Sequence, residues 1–128
     1  HLFQLGATTF WEYWGEPRID EQEGPRSYNH PMQGGFDAWF FYGIAGIRPS
    51  EEGPAFKQIV LRPQILPGLT WARASYRTMH GLIVSEWYRD GNRVTWKVVI
   101  PPNATALVRI PSLEQELASG EYEFELMV

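Results

Sequence analysis

A chain of 128 residues is long enough for one compact core with little to spare, and 44% hydrophobic with 20% charged residues is an ordinary globular balance. A formal net charge of −4 argues against the basic stripe of a nucleic-acid binder, and no apolar run nears the roughly 18 residues that span a bilayer, so neither nucleic acid nor membrane is an expected partner. Cysteine is absent, which removes disulfides and thiolate metal sites.

The start, His1-Leu2-Phe3-Gln4-Leu5, has neither the basic region nor the cleavage site of a secretory leader, and the chain is expected to begin in mid-protein. Up to about Pro49 the sequence is rich in glycine and aromatics. After Tyr28-Asn29-His30-Pro31, the residues Phe36, Trp39, Phe40 and Ile44 recur at the 3–4 spacing of a helix face, predicting a helix over 33–45. Phe41 and Tyr42 widen that face around most of the circumference, so this helix is expected to need neighbours on all sides, and this piece does not contain them. Gly46 suits a left-handed terminator and Pro49 blocks continuation.

From Ala55 onward the pattern changes to strands. Predicted strands are 56–61, 69–76 and 82–88, the last two joined by a turn at Met79-His80-Gly81. Asp90-Gly91-Asn92 is a hairpin signal, because Asp and Gly tolerate the backbone of tight reverse turns. In 93–100, Val94, Trp96, Val98 and Ile100 share one face. Pro101-Pro102-Asn103 turns the chain into 105–110. At the end, Tyr122, Phe124, Leu126 and Val128 are expected inward, with Glu121, Glu123 and Glu125 outward. The expected fold is mainly β, an antiparallel β-sandwich preceded by a short helical remnant. A domain boundary is expected in the polar stretch 48–55, giving domains 1–48 and 49–128.

The first piece carries the densest chemistry. On an extended backbone Glu12 shares a face with Phe10 and Trp14, while Trp11 and Tyr13 share the other. A carboxylate beside an indole suits the cleavage point of a glycosidase, where it activates water or protonates the leaving oxygen. A surface Glu on an aromatic strand would look the same, and the residues alone leave both readings open. His30 either donates to a sugar hydroxyl or carboxylate, or caps the helix that follows. The three histidines are scattered, so no metal is expected, nor any other cofactor. Trp71, Trp87 and Trp96 are expected to pack in the sandwich core; facing solvent in a flat row, they would instead favour sugar binding.

Taken in order, Gly6-Ala7-Thr8-Thr9-Phe10-Trp11-Glu12-Tyr13-Trp14, Ser27-Tyr28-Asn29-His30 and Tyr42-Gly43-Ile44-Ala45-Gly46-Ile47 resemble the closing part of the bacterial α-L-rhamnosidase catalytic domain. Gly53-Pro54-Ala55-Phe56-Lys57, Leu69-Thr70-Trp71-Ala72-Arg73-Ala74-Ser75-Tyr76 and Gly81-Leu82-Ile83-Val84-Ser85-Glu86-Trp87 resemble the β-sandwich that follows it. The resemblance reaches about Pro111, and its motifs are specific together rather than singly.

It implies an (α/α)6 barrel upstream in the same protein, inversion at the anomeric centre, and a rhamnose-containing glycoside or polysaccharide as substrate. It also implies Glu12 as the general base, His30 as a contact to the sugar, and Trp14 as a lining residue of the sugar subsite, with the general acid supplied upstream. Tyr13 and Gly15 depart from the family, standing where Arg and Asp are frequent, and the segment after Ile110 is shorter than usual. The alternatives are a non-catalytic β-sandwich that is structural or carbohydrate-binding, and a related barrel hydrolase acting on another sugar.

Overall fold

The computed structural model describes residues 2–12, 27–111 and 113–128. The chain falls into two compact units, His1–Ala38 and Trp39–Val128. In the first, a turn of 3-10 helix, Leu2–Leu5, precedes Gly6, and a second 3-10 segment, Pro31–Phe36, begins on a proline whose missing N–H suits the first helical position. Helical backbone continues through Asp37–Trp39 and, in the second unit, through a π-type turn, Phe40–Ala45.

The predicted helix over 33–45 is therefore present but irregular, and its aromatics are not enclosed. Trp39, Phe40, Phe41 and Tyr42 are all exposed, and only Gly43, Ile44 and Ala45 are buried. Gly46 ends the helix with φ 73° and ψ 21°, and a Cβ there would lie 2.1 Å from the Pro63 backbone nitrogen. Both the left-handed backbone and the close approach require glycine.

The second unit is a sandwich of two four-stranded sheets. Its strands are β1 (Ile47–Pro49), β2 (Gln58–Leu61), β3 (Trp71–Thr78), β4 (Gly81–Asp90), β5 (Arg93–Ile100), β6 (Thr105–Ile110), β7 (Leu113–Leu117) and β8 (Gly120–Met127). One sheet has the order β1-β2-β6-β7, the other β3-β4-β5-β8. Every pairing is antiparallel except β2 with β6, which run parallel. That exception follows from the route of the chain. After β2 it leaves for the other sheet, builds β3, β4 and β5 there, and returns at β6, the long excursion that a parallel pair needs.

Six of these strands lie where the alternation predicts them; β1 and β7 are additional. β1 is a three-residue edge strand ending in proline, tolerated there because an edge position has no ladder partner on one side. β7 reads Leu-Glu-Gln-Glu-Leu, so its polar middle hides the two leucines that face the core. At the C-terminus Tyr122, Phe124 and Leu126 lean on the core as expected, whereas Val128 is exposed because β8 ends at Met127.

The core contains one buried polar residue among the described residues, Ser85, which is fully paired. Trp96 Nε1–H donates to Ser85 Oγ at 2.9 Å, and Ser85 Oγ–H donates to the Ala45 carbonyl at 2.6 Å. Trp87 Nε1–H donates to the Ile44 carbonyl at 3.0 Å. The last turn of a helix leaves carbonyls without intrahelical donors, and here the sheet supplies them.

Candidate functional site

Within the first unit, residues 9–12 run beside residues 27–30. Glu12 N–H donates to the Ser27 carbonyl at 2.9 Å, and His30 N–H donates to the Phe10 carbonyl at 2.7 Å. The Thr9 hydroxyl donates to the Tyr28 carbonyl. Gln33 ties the turn of helix back to both segments: its backbone N–H donates to the His30 carbonyl at 3.2 Å and its Nε2 to the Glu12 carbonyl at 3.2 Å. Rings of the first segment meet rings of the second segment and of the Pro31–Phe36 turn edge to face. Phe10 meets Phe36 at 5.4 Å between ring centroids, and Trp11 meets Tyr28 at 5.1 Å. Such pairs hold the two segments in register beyond the area they bury.

The backbone of Glu12 is thus satisfied at both ends, but its carboxylate is not. Among the described residues, Glu12 Oε2 is the buried side-chain oxygen that has no hydrogen-bond partner. Leaving a buried acceptor unpaired costs about 1–3 kcal/mol, and more for a charged group. Such an atom calls for an explanation outside the bonding of the fold itself, and catalysis is one.

His30 sits at the N-cap of the Pro31–Phe36 segment with φ −106° and ψ 84°, half-buried, and its imidazole makes no capping hydrogen bond. The capping role open to it in the sequence is therefore not used. The structure brings Glu12 and His30 onto two hydrogen-bonded segments although 18 positions separate them. Trp14, Tyr13 and Gly15 lie outside the described residues. Among the described residues, no group of three His, Asp or Glu side chains is placed to hold a metal.

The sandwich sorts its tryptophans into two kinds. Trp87 and Trp96 are fully buried, as expected of core residues. Trp71 departs from that expectation, being 59% exposed on β3, an edge strand. Directly opposite it on β4 is Tyr88, 48% exposed, which carries no signal of its own in the sequence beyond its place at the end of a predicted strand. The hairpin signal held the information, since a two-residue turn at 79–80 sets residue 71 against residue 88.

The Tyr88 hydroxyl donates to Glu86 Oε1, and this bond raises the phenol above its ordinary value of 10.0. Smaller raising effects come from partial desolvation and from the Glu86 charge, against the lowering effect of Arg73 and Lys97. Arg73 Nε lies 3.6 Å from the other oxygen of the same carboxylate. Beside Trp71 a groove of about 480 Å³ opens between the helical turn and the free edge of β3, with Phe40, Phe41, Ile44 and Leu69 among its walls.

Residues 46–125 match the family of bacterial α-L-rhamnosidase C-terminal domains. An α-L-rhamnosidase of Streptomyces avermitilis is 34% identical over 110 residues, covering 84% of this chain and 10% of its own length. One from Formosa agariphila is 35% identical over 114 residues, covering 87% of this chain and 12% of its own. Among solved structures, the α-L-rhamnosidase from Dictyoglumus thermophilum superposes with a TM-score of 0.83 at 26% identity, over 99% of this chain and 17% of that one. The Streptomyces avermitilis α-L-rhamnosidase complexed with L-rhamnose superposes with a TM-score of 0.77 at 26% identity, over 97% of this chain and 14% of that one. The chain thus spans between 10% and 17% of the length of these relatives.

Proposed function

The chain belongs to the bacterial α-L-rhamnosidases, whose C-terminal domain it carries, and from that premise we propose that it is the closing part of a glycoside hydrolase that removes terminal α-L-rhamnose with inversion. In this reading the segment that precedes β1 completes the catalytic (α/α)6 barrel, and the sandwich follows it in the chain. Glu12 is the general base. Its carboxylate takes a proton from water as that water attacks the anomeric carbon, while an acid supplied by the upstream barrel protonates the departing oxygen. Inversion needs those two carboxyl groups roughly 6.5–9.5 Å apart, leaving room for the water between base and sugar. His30 contacts the sugar from the neighbouring segment, and Trp14 lines the subsite.

The observation that carries this reading is the unpaired, buried Glu12 Oε2 on a residue whose own backbone N–H and carbonyl are both bonded. A base must be fixed in direction yet hold a lone pair in reserve, and an unpaired oxygen on a residue with a bonded backbone supplies both. In the full-length protein, Glu12→Gln keeps the shape and removes the basicity. It is expected to lower kcat on an aryl rhamnoside about 10²–10⁴-fold while the sugar still binds. Turnover within a few-fold of the parent would exclude Glu12 as the base. The 128-residue chain alone, without the acid, is expected to release no rhamnose.

The buried Trp87 and Trp96 favour a structural role for the sandwich core, which is compatible with this assignment.

A further inference from the structure

The outer face of the β3-β4-β5-β8 sheet carries a pattern that neither the core nor hydrolysis at Glu12 uses. Trp71 and Tyr88 are directly opposed on neighbouring strands, so their side chains stand on the same face with Cβ atoms about 4.5–5.5 Å apart. Both rings are exposed. The indole N–H groups of Trp87 and Trp96 are spent on Ile44 and Ser85, whereas that of Trp71 has no partner among the described residues.

One row further along the same face, Arg73, Glu86, Lys97 and Glu123 lie in register across all four strands. Arg73 is 3.6 Å from Glu86, and Lys97 is 3.2 Å from Glu123. Two positive and two negative groups alternate along this row, so it offers hydrogen-bond donors and acceptors without a net charge that would select an anion. The hydrogen bond from Tyr88 to Glu86 joins the aromatic row to the polar one and fixes the angle of the phenol.

The geometry points to a second, non-catalytic carbohydrate site on this face, where Trp71 and Tyr88 stack on the apolar face of a neutral pyranose and Arg73 and Glu86 hydrogen-bond its hydroxyls. A sugar ring presents C–H groups on its faces and hydroxyls around its rim. Two adjacent aromatic rings bordered by a neutral polar row match that distribution. An apolar polypeptide surface would leave Arg73, Glu86, Lys97 and Glu123 to be desolvated with nothing to bind. The inference rests on reading the whole protein as a glycosidase only for the source of the sugar, a pyranose unit of the polymer on which the enzyme acts.

The test uses full-length protein carrying Glu12→Gln, so that the polymer is not consumed, and measures its retardation in gels cast with a rhamnose-bearing polysaccharide. Trp71→Ala is expected to weaken retention about tenfold, with Tyr88→Ala close behind, and Trp71→Phe to recover part of it. Free neutral sugars should release the protein, and a uronic acid at the same concentration should not. Two results would overturn the site: retention unchanged in Trp71→Ala and Tyr88→Ala, or release by the uronate in preference to neutral sugars. A drop in melting temperature in Trp71→Ala that matches the loss of retention would also overturn it, because the ring would then be a packing surface for the rest of the polypeptide. Failure of the hydrolytic reading would show up separately, as absent rhamnose release from a small aryl glycoside by the parent enzyme.

Discussion

Among the described residues, the two compact units treat their buried polar atoms in opposite ways. In the sandwich, the buried hydroxyl and both buried indole N–H groups are paired, and two of those bonds end on the helix carbonyls of Ile44 and Ala45. In the first unit, among the described residues, the Glu12 N–H and carbonyl are both bonded, yet Glu12 Oε2 is buried without a partner. The contrast sets groups that hold the fold beside one that the fold leaves unbonded, as the proposed role of Glu12 as base requires. It follows that substitutions in the sandwich core should act on stability, and substitution of Glu12 on chemistry.

The largest stability effect is expected at Trp87. Trp87→Ala removes a fully buried indole and leaves the Ile44 carbonyl without its donor, costing about 3–5 kcal/mol. Denaturant unfolding of the full-length protein measures it. A cost below about 1 kcal/mol would mean that the core collapses around the gap and that the pairing matters little.

Ser85→Ala should come next, at about 1–3 kcal/mol, because it strands both the Trp96 N–H and the Ala45 carbonyl while removing a single oxygen. Ser85→Thr, which keeps the hydroxyl, separates lost hydrogen bonding from crowding; if Ala and Thr cost the same, the hydroxyl is not what matters.

The smallest effect concerns the exposed face. Tyr88 is raised by its bond to Glu86, so whatever it adds to stability is fully present below the unfolded tyrosine value near 10 and fades as pH rises through the higher folded value. Ultraviolet titration should show a late tyrosinate step that Tyr88→Phe deletes. If the late step persists in Tyr88→Phe, the assignment to this phenol is wrong.

How far the sequence revealed these features differs between the units for physical reasons. Strands such as β5 were legible because a half-buried strand writes its environment as alternation: Val94, Trp96, Val98 and Ile100 inward, Arg93, Thr95 and Lys97 away from the core. β7 was not legible, since an edge strand trades apolar positions for charge, and Glu114 and Glu116 conceal its leucines. The parallel β2–β6 pair depends on the route through the other sheet, which no local pattern encodes. Trp71 read as core because an aromatic on a strand carries no label for the face it takes; only the hairpin register, which sets it opposite Tyr88, reveals the exposed pair.

In the first unit, Glu12 and His30 stood out only as members of an ordered set of motifs resembling a known family. Their placement on adjoining segments depends on hydrogen bonds between residues 15 to 20 positions apart, such as Glu12 to Ser27 and His30 to Phe10, and no spacing rule predicts those. The unpaired Glu12 oxygen was invisible in the sequence, because satisfaction of a polar atom is a property of the packed structure.

The central claim is that Glu12 delivers the attacking water. Full-length protein carrying Glu12→Ala, assayed on an aryl α-L-rhamnoside with increasing azide, tests it most directly. A missing base leaves room for a small anion that needs no deprotonation, so azide should restore turnover and the product should be the rhamnosyl azide of inverted, β configuration, identified by proton NMR. Undiminished hydrolysis by Glu12→Ala, or a slowed reaction that azide does not accelerate, would contradict the assignment.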